Sequence, residues 1–150
     1  MSDDLMNEIA AAKDKSSIIM VVGVGGAGGN AVNHMWNLGI RGVTFMVCNT
    51  DQQALDKSPV ERKIRLGAEG LGAGNDPENG RRAAVETLPE IRQQLEEVGT
   101  KMIFITAGMG GGTGTGASPV IAKLAREMGL LTVAIVTSPL AVEGKIRYEQ

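Results

Sequence analysis

The chain has 150 residues, of which 43% are hydrophobic and 21% charged, and its formal net charge is −2. This length is typical of one domain that buries about two-thirds of its unfolded surface. A slightly acidic chain with only two Phe, one Tyr and one Trp gives no indication of nucleic-acid binding. No apolar run approaches the roughly 20 residues of a membrane-spanning helix, so no membrane insertion is expected.

Residues 1–16 are polar with a weak helical pattern, and they are predicted to form a flexible leader. The acidic residues Asp3, Asp4 and Glu8 are unlike the basic start of a secretory signal peptide. The single cysteine, Cys48, lies in an apolar run and is predicted to be a buried thiol. These features favour a cytoplasmic protein whose one domain occupies residues 17–150.

Short apolar runs bounded by Gly, Asn or Ser alternate with segments of helical periodicity. Several runs lack polar alternation, which is typical of strands that are covered on both faces. The alternation predicts an α/β fold, a doubly wound and mostly parallel sheet with helices on both faces. The five predicted strands are residues 18–22, 43–47, 64–66, 102–106 and 131–136.

Glycines mark the predicted helix ends. Gly39, Gly99 and Gly129 each follow a helical run, where the left-handed conformation is expected. A break is predicted near Pro89, with Thr87 and Glu90 forming a capping box for the helix that restarts there.

The first glycine loop, residues 23–30, follows a predicted strand and opens a predicted helix. Such a loop lets the backbone approach a phosphate, and the helix start offers free N–H groups. The GxGxxG match alone is a weak signal, since a tight strand–helix turn without ligand explains it too. The candidate phosphate contacts here are Gly25, Gly26, Ala27, Gly28, Gly29 and Asn30.

The second glycine loop, residues 108–116, follows the fourth predicted strand. Six of its nine residues are glycine, more than a structural turn needs, which favours a second phosphate contact. Either threonine could instead cap its own helix. The candidate contacts are Gly110, Gly111, Gly112, Thr113, Gly114, Thr115 and Gly116.

In a doubly wound sheet the first and fourth strands are neighbours at the switch point where ligands bind. The two loops would therefore face one crevice and clamp a polyphosphate. Neither helix brings a carboxylate to its own start, unlike the helix that begins at Asp76-Pro77-Glu78. Gly29 and Asn30 stand where a Walker loop needs Lys and Ser or Thr, so that motif is excluded.

The sequence GGGTGTG at residues 110–116 resembles the signature motif of the tubulin/FtsZ family. The resemblance extends from about residue 18 to residue 147 and favours the bacterial cell-division branch over tubulin. The other matching segments are residues 23–30, 47–51, 70–74, 76–78, 104–109, 136–137 and 143–147.

The resemblance implies a GTPase that binds GTP or GDP with Mg²⁺ held through the nucleotide. It implies head-to-tail self-assembly into a cytoplasmic ring at the division site, together with other division proteins. In the family, residues 26–30 and 112–114 would hold the phosphates, and the loop containing Gly74 would lie beside the γ-phosphate. Glu143 would contact the ribose and Arg147 the sugar or base. Asn49 and Asp51 would line the same crevice.

The chain departs from the family pattern at three points. Ala27 stands where the family usually has Gly, and Asn75-Asp76 replaces the commoner Ala-Asn. We expect Asp76 to cap a helix and not to point at the nucleotide. The family also continues beyond residue 150 with guanine-selecting residues and an acidic loop that completes the next subunit's active site. No catalytic residue is therefore predicted in this chain, which is expected to bind nucleotide without turning it over alone.

Two alternatives remain open at this point. Gly23, Gly25 and Gly28 fit the fingerprint of an NAD(P)-binding Rossmann oxidoreductase, with Asp51 placed for a ribose hydroxyl. Against this, a dinucleotide has one pyrophosphate and needs one such loop. The other alternative is an interaction module that caps or joins filaments without productive nucleotide binding.

Overall fold

The computed structural model describes residues 17–150, so the predicted leader, residues 1–16, lies outside the described residues. Five strands form one sheet in the order β3-β2-β1-β4-β5, and every neighbouring pair is parallel. This confirms the predicted doubly wound parallel sheet. The strands are β1 Ile19–Val24, β2 Thr44–Asn49, β3 Arg62–Arg65, β4 Met102–Gly108 and β5 Leu131–Thr137.

Helices connect the strands and cover both faces of the sheet. They are α1 Gly25–Asn37, α2 Gln52–Asp56, α3 Pro77–Glu86, α4 Leu88–Val98, α5 Thr113–Glu127 and α6 Lys145–Glu149, with a 3₁₀ turn at Ala141–Glu143. Within residues 17–150, no helix is both long enough and apolar enough to cross a membrane.

The core consists of two buried clusters, one on each face of the sheet. Met20 and Val22 of β1 pack in the cluster that includes Ile91 of α4 and Ile121 of α5. Val21 of the same strand packs on the opposite face in the cluster of α1 and α2. Successive β1 side chains thus enter different cores, which explains why this strand is apolar throughout.

The predicted strand positions are correct to within a few residues. β1 and β2 each run two residues beyond the predicted end, to Val24 and Asn49. β3 begins at Arg62, earlier than predicted, because backbone pairing with β2 fixes its extent even though Lys63 and Arg65 are exposed. Hydrophobicity alone could not locate the start of a strand whose polar residues face solvent at the sheet edge.

Helix ends follow the glycine pattern, since Gly39, Gly99 and Gly129 have φ values of 67°, 72° and 77°. The break near Pro89 is confirmed, but the predicted Thr87–Glu90 capping box is wrong. The Thr87 hydroxyl donates to the Ala83 carbonyl (2.8 Å) and accepts from the Gly67 amide (2.9 Å). It ties α3 to the segment after β3, which leaves it unable to cap α4.

Candidate functional site

Both glycine loops lie at the carboxyl edge of the sheet. β1 and β4 are adjacent and parallel, with Val24 opposite Ala107, so their following loops start side by side. A Cβ added to Gly25 would lie 3.0 Å from the Gly114 amide nitrogen, and Gly25 has a φ of 73°. The two loops are therefore in direct contact, as the switch-point argument predicted.

The helices that begin at these loops have free N-termini. Among the described residues, neither α1 nor α5 has a side-chain cap or an acidic residue in its first turn. α2 and α3 differ: Asp51 Oδ1 accepts from the Gln53 amide (2.9 Å), and Asp76 Oδ1 accepts from the Glu78 amide (2.9 Å). The predicted Asp76 cap is confirmed. Unpaired N–H groups and two positive helix-dipole ends thus converge where the glycine loops meet.

The first loop contains two glycines that packing does not explain. Apart from its chain neighbours and the backbone of its own helix, a Cβ on Gly26 or Gly29 would meet no described atom within 4 Å. Gly28 is different, because a Cβ there would overlap the Thr106 carbonyl oxygen in β4. Gly28 allows α1 to approach the sheet, whereas Gly26 and Gly29 leave room on the open side of the loop.

The second loop is packed against neighbouring backbone. A Cβ on Gly112 would lie 2.8 Å from the Ala73 Cβ and 2.8 Å from the Asp76 amide nitrogen. A Cβ on Gly116 would overlap the Pro77 carbonyl oxygen in α3. The glycine surplus predicted a ligand contact, but at Gly112 and Gly116 close packing against neighbouring atoms explains why only glycine fits. The roles predicted for the second loop toward phosphate stay predictions.

The two threonines of the second loop do not cap their own helix. Thr115 Oγ1 accepts from the Gly110 amide (2.9 Å) and so closes the loop on itself. Thr113 Oγ1 lies 2.7 Å from Thr50 Oγ1, at the end of β2. Thr50 was missed as a site residue, although it stands between the two predicted residues Asn49 and Asp51.

Asn49 and Asp51 lie beside the first loop. With Gly26, Gly29 and Asn30 they line a cavity of about 240 Å³. The Asn49 side chain accepts from the Asp51 amide (3.2 Å), so the two residues form a local turn. Lys57 and Ser58 also line this cavity, and no motif in the sequence pointed to them.

The loop containing Gly74 is attached to the end of β2. The Gly72 amide donates to the Thr50 carbonyl (3.0 Å), and a second backbone bond joins the start of α2 to the same loop. Gly74 has a φ of 61°, and a Cβ added there would have no described atom within 4 Å. This loop and the second glycine loop are in contact through Gly112, so the structure brings the predicted γ-phosphate loop to the crevice.

Glu143 and Arg147 pair with each other. Arg147 Nη1 lies 3.4 Å from Glu143 Oε2, and the second carboxylate oxygen accepts from the Leu140 amide (3.0 Å). Both side chains are partly exposed. A Cβ on Gly110 would lie 3.0 Å from the Arg147 carbonyl oxygen, which places this segment against the second loop. The two residues predicted for the sugar side therefore lie next to that loop.

A larger cavity, about 570 Å³, lies away from both glycine loops. Its lining includes Lys63 and Arg65 of β3 and Glu86 and Glu90 near the α3–α4 junction. Volume alone would select this groove, but it contains neither free helix N-terminus. The smaller cavity and the adjoining loops, with their free helix N-termini, form the candidate site.

Cys48 is buried beneath the site, with 1% of its surface exposed, as predicted. Burial, with a further contribution from the negative charge of Glu90, raises the pKa of the Cys48 thiol to about 12. A thiol that stays protonated is no nucleophile at neutral pH. Within the described chain, no group of three or more His, Cys, Asp or Glu side chains could hold a metal ion.

Comparisons with known proteins agree with this geometry. The model of the Tubulin/FtsZ family, GTPase domain, matches residues 18–150. The chain is 53% identical over 148 residues to the cell division protein FtsZ of Porphyromonas gingivalis, covering 97% of this chain and 32% of that protein.

Solved structures give the same result. An FtsZ dimer of M. jannaschii is similar with a TM-score of 0.83 and 40% identity, over 98% of this chain and 43% of that one. CetZ2 from Haloferax volcanii, a GTPγS-bound protofilament, is similar with a TM-score of 0.76 and 29% identity, over 86% of this chain and 42% of that one.

These matches do not favour the oxidoreductase alternative. The chain spans about a third of the length of its Porphyromonas gingivalis relative, 32%, and 26% of the Caulobacter vibrioides FtsZ. Three findings lead to one conclusion: a family match over residues 18–150, two glycine loops in contact, and a parallel sheet in which the first and fourth strands are neighbours. The chain belongs to the Tubulin/FtsZ family, through the GTPase domain of that family.

Proposed function

We propose that this chain binds GTP or GDP, with the polyphosphate lying between the two glycine loops. The observation that carries the proposal is the meeting of two uncapped helix N-termini, those of α1 and α5, at adjacent strand ends. Helix starts that lack their own carboxylate offer N–H donors and a favourable dipole to an external anion. A nucleotide polyphosphate supplies such an anion.

Each side of the crevice has a proposed role. Backbone amides of Gly26–Asn30 and Gly112–Gly114 donate to phosphate oxygens, and the loop at Gly74 lies beside the γ-phosphate. Glu143 contacts the ribose, and Arg147 the sugar or base. Asn49 and Asp51 line the phosphate side. The full proposed set is Gly25, Gly26, Ala27, Gly28, Gly29, Asn30, Asn49, Asp51, Gly74, Gly110, Gly111, Gly112, Thr113, Gly114, Thr115, Gly116, Glu143 and Arg147.

A magnesium ion would be held mainly by phosphate oxygens. Mg²⁺ in nucleotide sites is bound by few carboxylates together with substrate phosphates. Asp51 caps α2 with Oδ1, which accepts from the Gln53 and Ala54 amides, so at most its Oδ2 is available to a cation. The donor set therefore suits an ion that arrives with the nucleotide, where it offsets phosphate charge.

For the protein as a whole we infer GTP hydrolysis coupled to head-to-tail assembly at the division site in the cytoplasm, alongside other division proteins. The names of its relatives support this: a cell division protein, a dimer and a GTPγS-bound protofilament. In this view the chain supplies the nucleotide-carrying face of a shared active site. The acidic water-activating loop belongs to the neighbouring subunit, and no residue of this chain is assigned a catalytic role.

Asn30 and Asn37 provide a matched test of nucleotide binding. Both are exposed, on the same helix α1, but Asn30 is beside the crevice and Asn37 is at the far end. We expect Asn30→Ala to weaken GDP binding roughly tenfold, as for loss of a hydrogen bond to a charged group. Asn37→Ala should leave the affinity unchanged. Isothermal calorimetry with GTP, GDP and NAD measures the dissociation constants.

Two results would contradict the proposal. Binding of NAD without GDP would favour the oxidoreductase class, and the fluorescence of Trp36 gives an independent signal for either ligand. Equal losses in Asn30→Ala and Asn37→Ala would mean that the nucleotide does not contact the start of α1.

A further inference from the structure

Thr50 links three parts of the candidate site. Its side chain is buried, with 5% exposed, and its hydroxyl oxygen lies 2.7 Å from that of Thr113 in the second glycine loop. Its carbonyl accepts from the Gly72 amide (3.0 Å) in the loop that contains Gly74. The end of β2 is thus joined to both loops on the phosphate side through one residue.

The hydrogen bond between the two threonines restricts their protons. Each hydroxyl has one proton, so only one of the two protons can lie between the oxygens. Thr113 is the one hydrogen-bond partner of the Thr50 hydroxyl among residues 17–150. If Thr113 donated to Thr50, the proton of the buried Thr50 hydroxyl would have no acceptor among the described residues. An unsatisfied buried donor lowers the stability of the folded state.

A bound phosphate settles the direction of this bond, because a phosphate oxygen only accepts. Thr113 is the first residue of α5, at the free helix N-terminus, and it is half-buried. To donate to an anion at that position, Thr113 must give its proton outward and accept one from Thr50. The opposite arrangement would turn a Thr113 lone pair toward the phosphate.

We propose that Thr50 is a positioning residue: its hydroxyl donates to Thr113 and thereby directs the Thr113 proton toward a phosphate group of the bound nucleotide. The inference rests on the proposed nucleotide site and goes beyond it, since Thr50 itself touches no ligand in this scheme. A merely structural tie between β2 and α5 would affect unfolding but not the affinity of the folded protein.

A double-mutant cycle on GDP affinity separates the two roles. The variants are Thr50→Val, Thr113→Val and the double variant, each replacing a hydroxyl with a methyl of similar shape. We expect each single variant to bind GDP roughly three- to tenfold more weakly, as for the loss of one hydrogen bond. The double variant should be no weaker than Thr113→Val alone, because Thr50 acts only through the Thr113 hydroxyl. Thr50→Ser, which keeps the hydroxyl, should restore affinity to within about twofold of wild type.

Thr100→Val is the matched control. Thr100 is buried to the same degree, with 6% exposed, and its hydroxyl has no hydrogen-bond partner in the described structure. It precedes β4 at the opposite, amino edge of the sheet. Its replacement should leave GDP affinity unchanged, which shows that a buried Thr→Val change is not harmful in itself.

Three outcomes would overturn the inference. They are multiplicative losses in the double variant, unchanged affinity in a folded Thr50→Val, and failure of Thr50→Ser to restore binding. Should Thr50→Val unfold, Thr50→Ala takes its place in the cycle, since it adds no atoms. Absence of GDP binding by the wild-type protein would instead overturn the proposed function, and this inference with it.

Discussion

The two glycine loops look alike in sequence but differ in what surrounds their glycines. In the first loop, Gly28 packs against β4, but a Cβ on Gly26 or Gly29 would have no atom within 4 Å apart from its chain neighbours and its own helix backbone. In the second, Gly112 and Gly116 face backbone atoms of the neighbouring loop and of α3. A glycine count therefore overstates the ligand signal of the second loop. Open space beside a free helix N-terminus is the better mark of an anion site.

Among the substitutions that test this comparison, Gly116→Ala should have the largest effect on stability. The new methyl group would overlap the Pro77 carbonyl, and two helix backbones cannot move apart without disturbing the core they share. We expect a loss of about 3 kcal/mol in the free energy of unfolding, the upper range for overpacking. Urea unfolding followed by circular dichroism measures it. Wild-type stability in this variant would show that α3 and α5 can separate freely.

Gly29→Ala, in contrast, should raise the stability of the nucleotide-free protein and lower its affinity for GDP. Gly29 lies within α1 with free space around it, so alanine should stabilise the nucleotide-free protein by about 0.4–1 kcal/mol. The same methyl group would stand on the open side of the loop, where the phosphates are proposed to lie. We expect GDP affinity to fall roughly tenfold, the equivalent of one displaced hydrogen bond.

Thermal unfolding without nucleotide and calorimetry with GDP give the two quantities for Gly29→Ala. The two must move in opposite directions if the glycine is kept for a ligand. Loss of stability without nucleotide would mean that packing explains Gly29 as it explains Gly28, and the contrast between the loops would disappear.

Ala27→Gly should have the smallest effect. Ala27 departs from the usual family glycine, and its methyl group lies toward Gly108 at the end of β4. Glycine here should cost about 0.5–1 kcal/mol of stability through its greater freedom in the unfolded chain. GDP affinity should stay within about twofold, because the proposed phosphate contact at Ala27 is its backbone amide, which glycine keeps. A fall in GDP affinity as large as that expected for Gly29→Ala would show that the Ala27 methyl group also faces the phosphates.

The strands and the adjacency of β1 and β4 could be predicted because the signals for them are local. Apolar runs without alternation indicated buried parallel strands, and glycine-rich turns after the first and fourth indicated a switch point. The Asp76 cap was predictable for the same reason, since the cap and its donor are two residues apart. Such signals need no knowledge of distant contacts.

The remaining features depend on residues far apart in the chain. Thr50 and Thr113 are separated by 63 positions, and nothing local distinguishes either hydroxyl as half of a pair. The sequence around Thr87 resembles a helix cap, and nothing in it indicates that the hydroxyl accepts from the Gly67 amide, 20 positions away. The packing cause of Gly116 likewise became visible only once α3 lay against α5.

The burial of Cys48 makes the lone thiol a probe of how often the helices covering it move away. Cys48 packs in the same buried cluster as Ile91 of α4 and Ile121 of α5, so a reagent reaches the thiol only when this face of the sheet is uncovered. Burial raises the pKa of the thiol from 9.0 to about 12, and the folded state therefore favours the neutral form. This contribution to stability is complete below pH 9 and is lost as pH rises toward 12. At neutral pH the rate of alkylation then measures how often α4 and α5 uncover this face of β2.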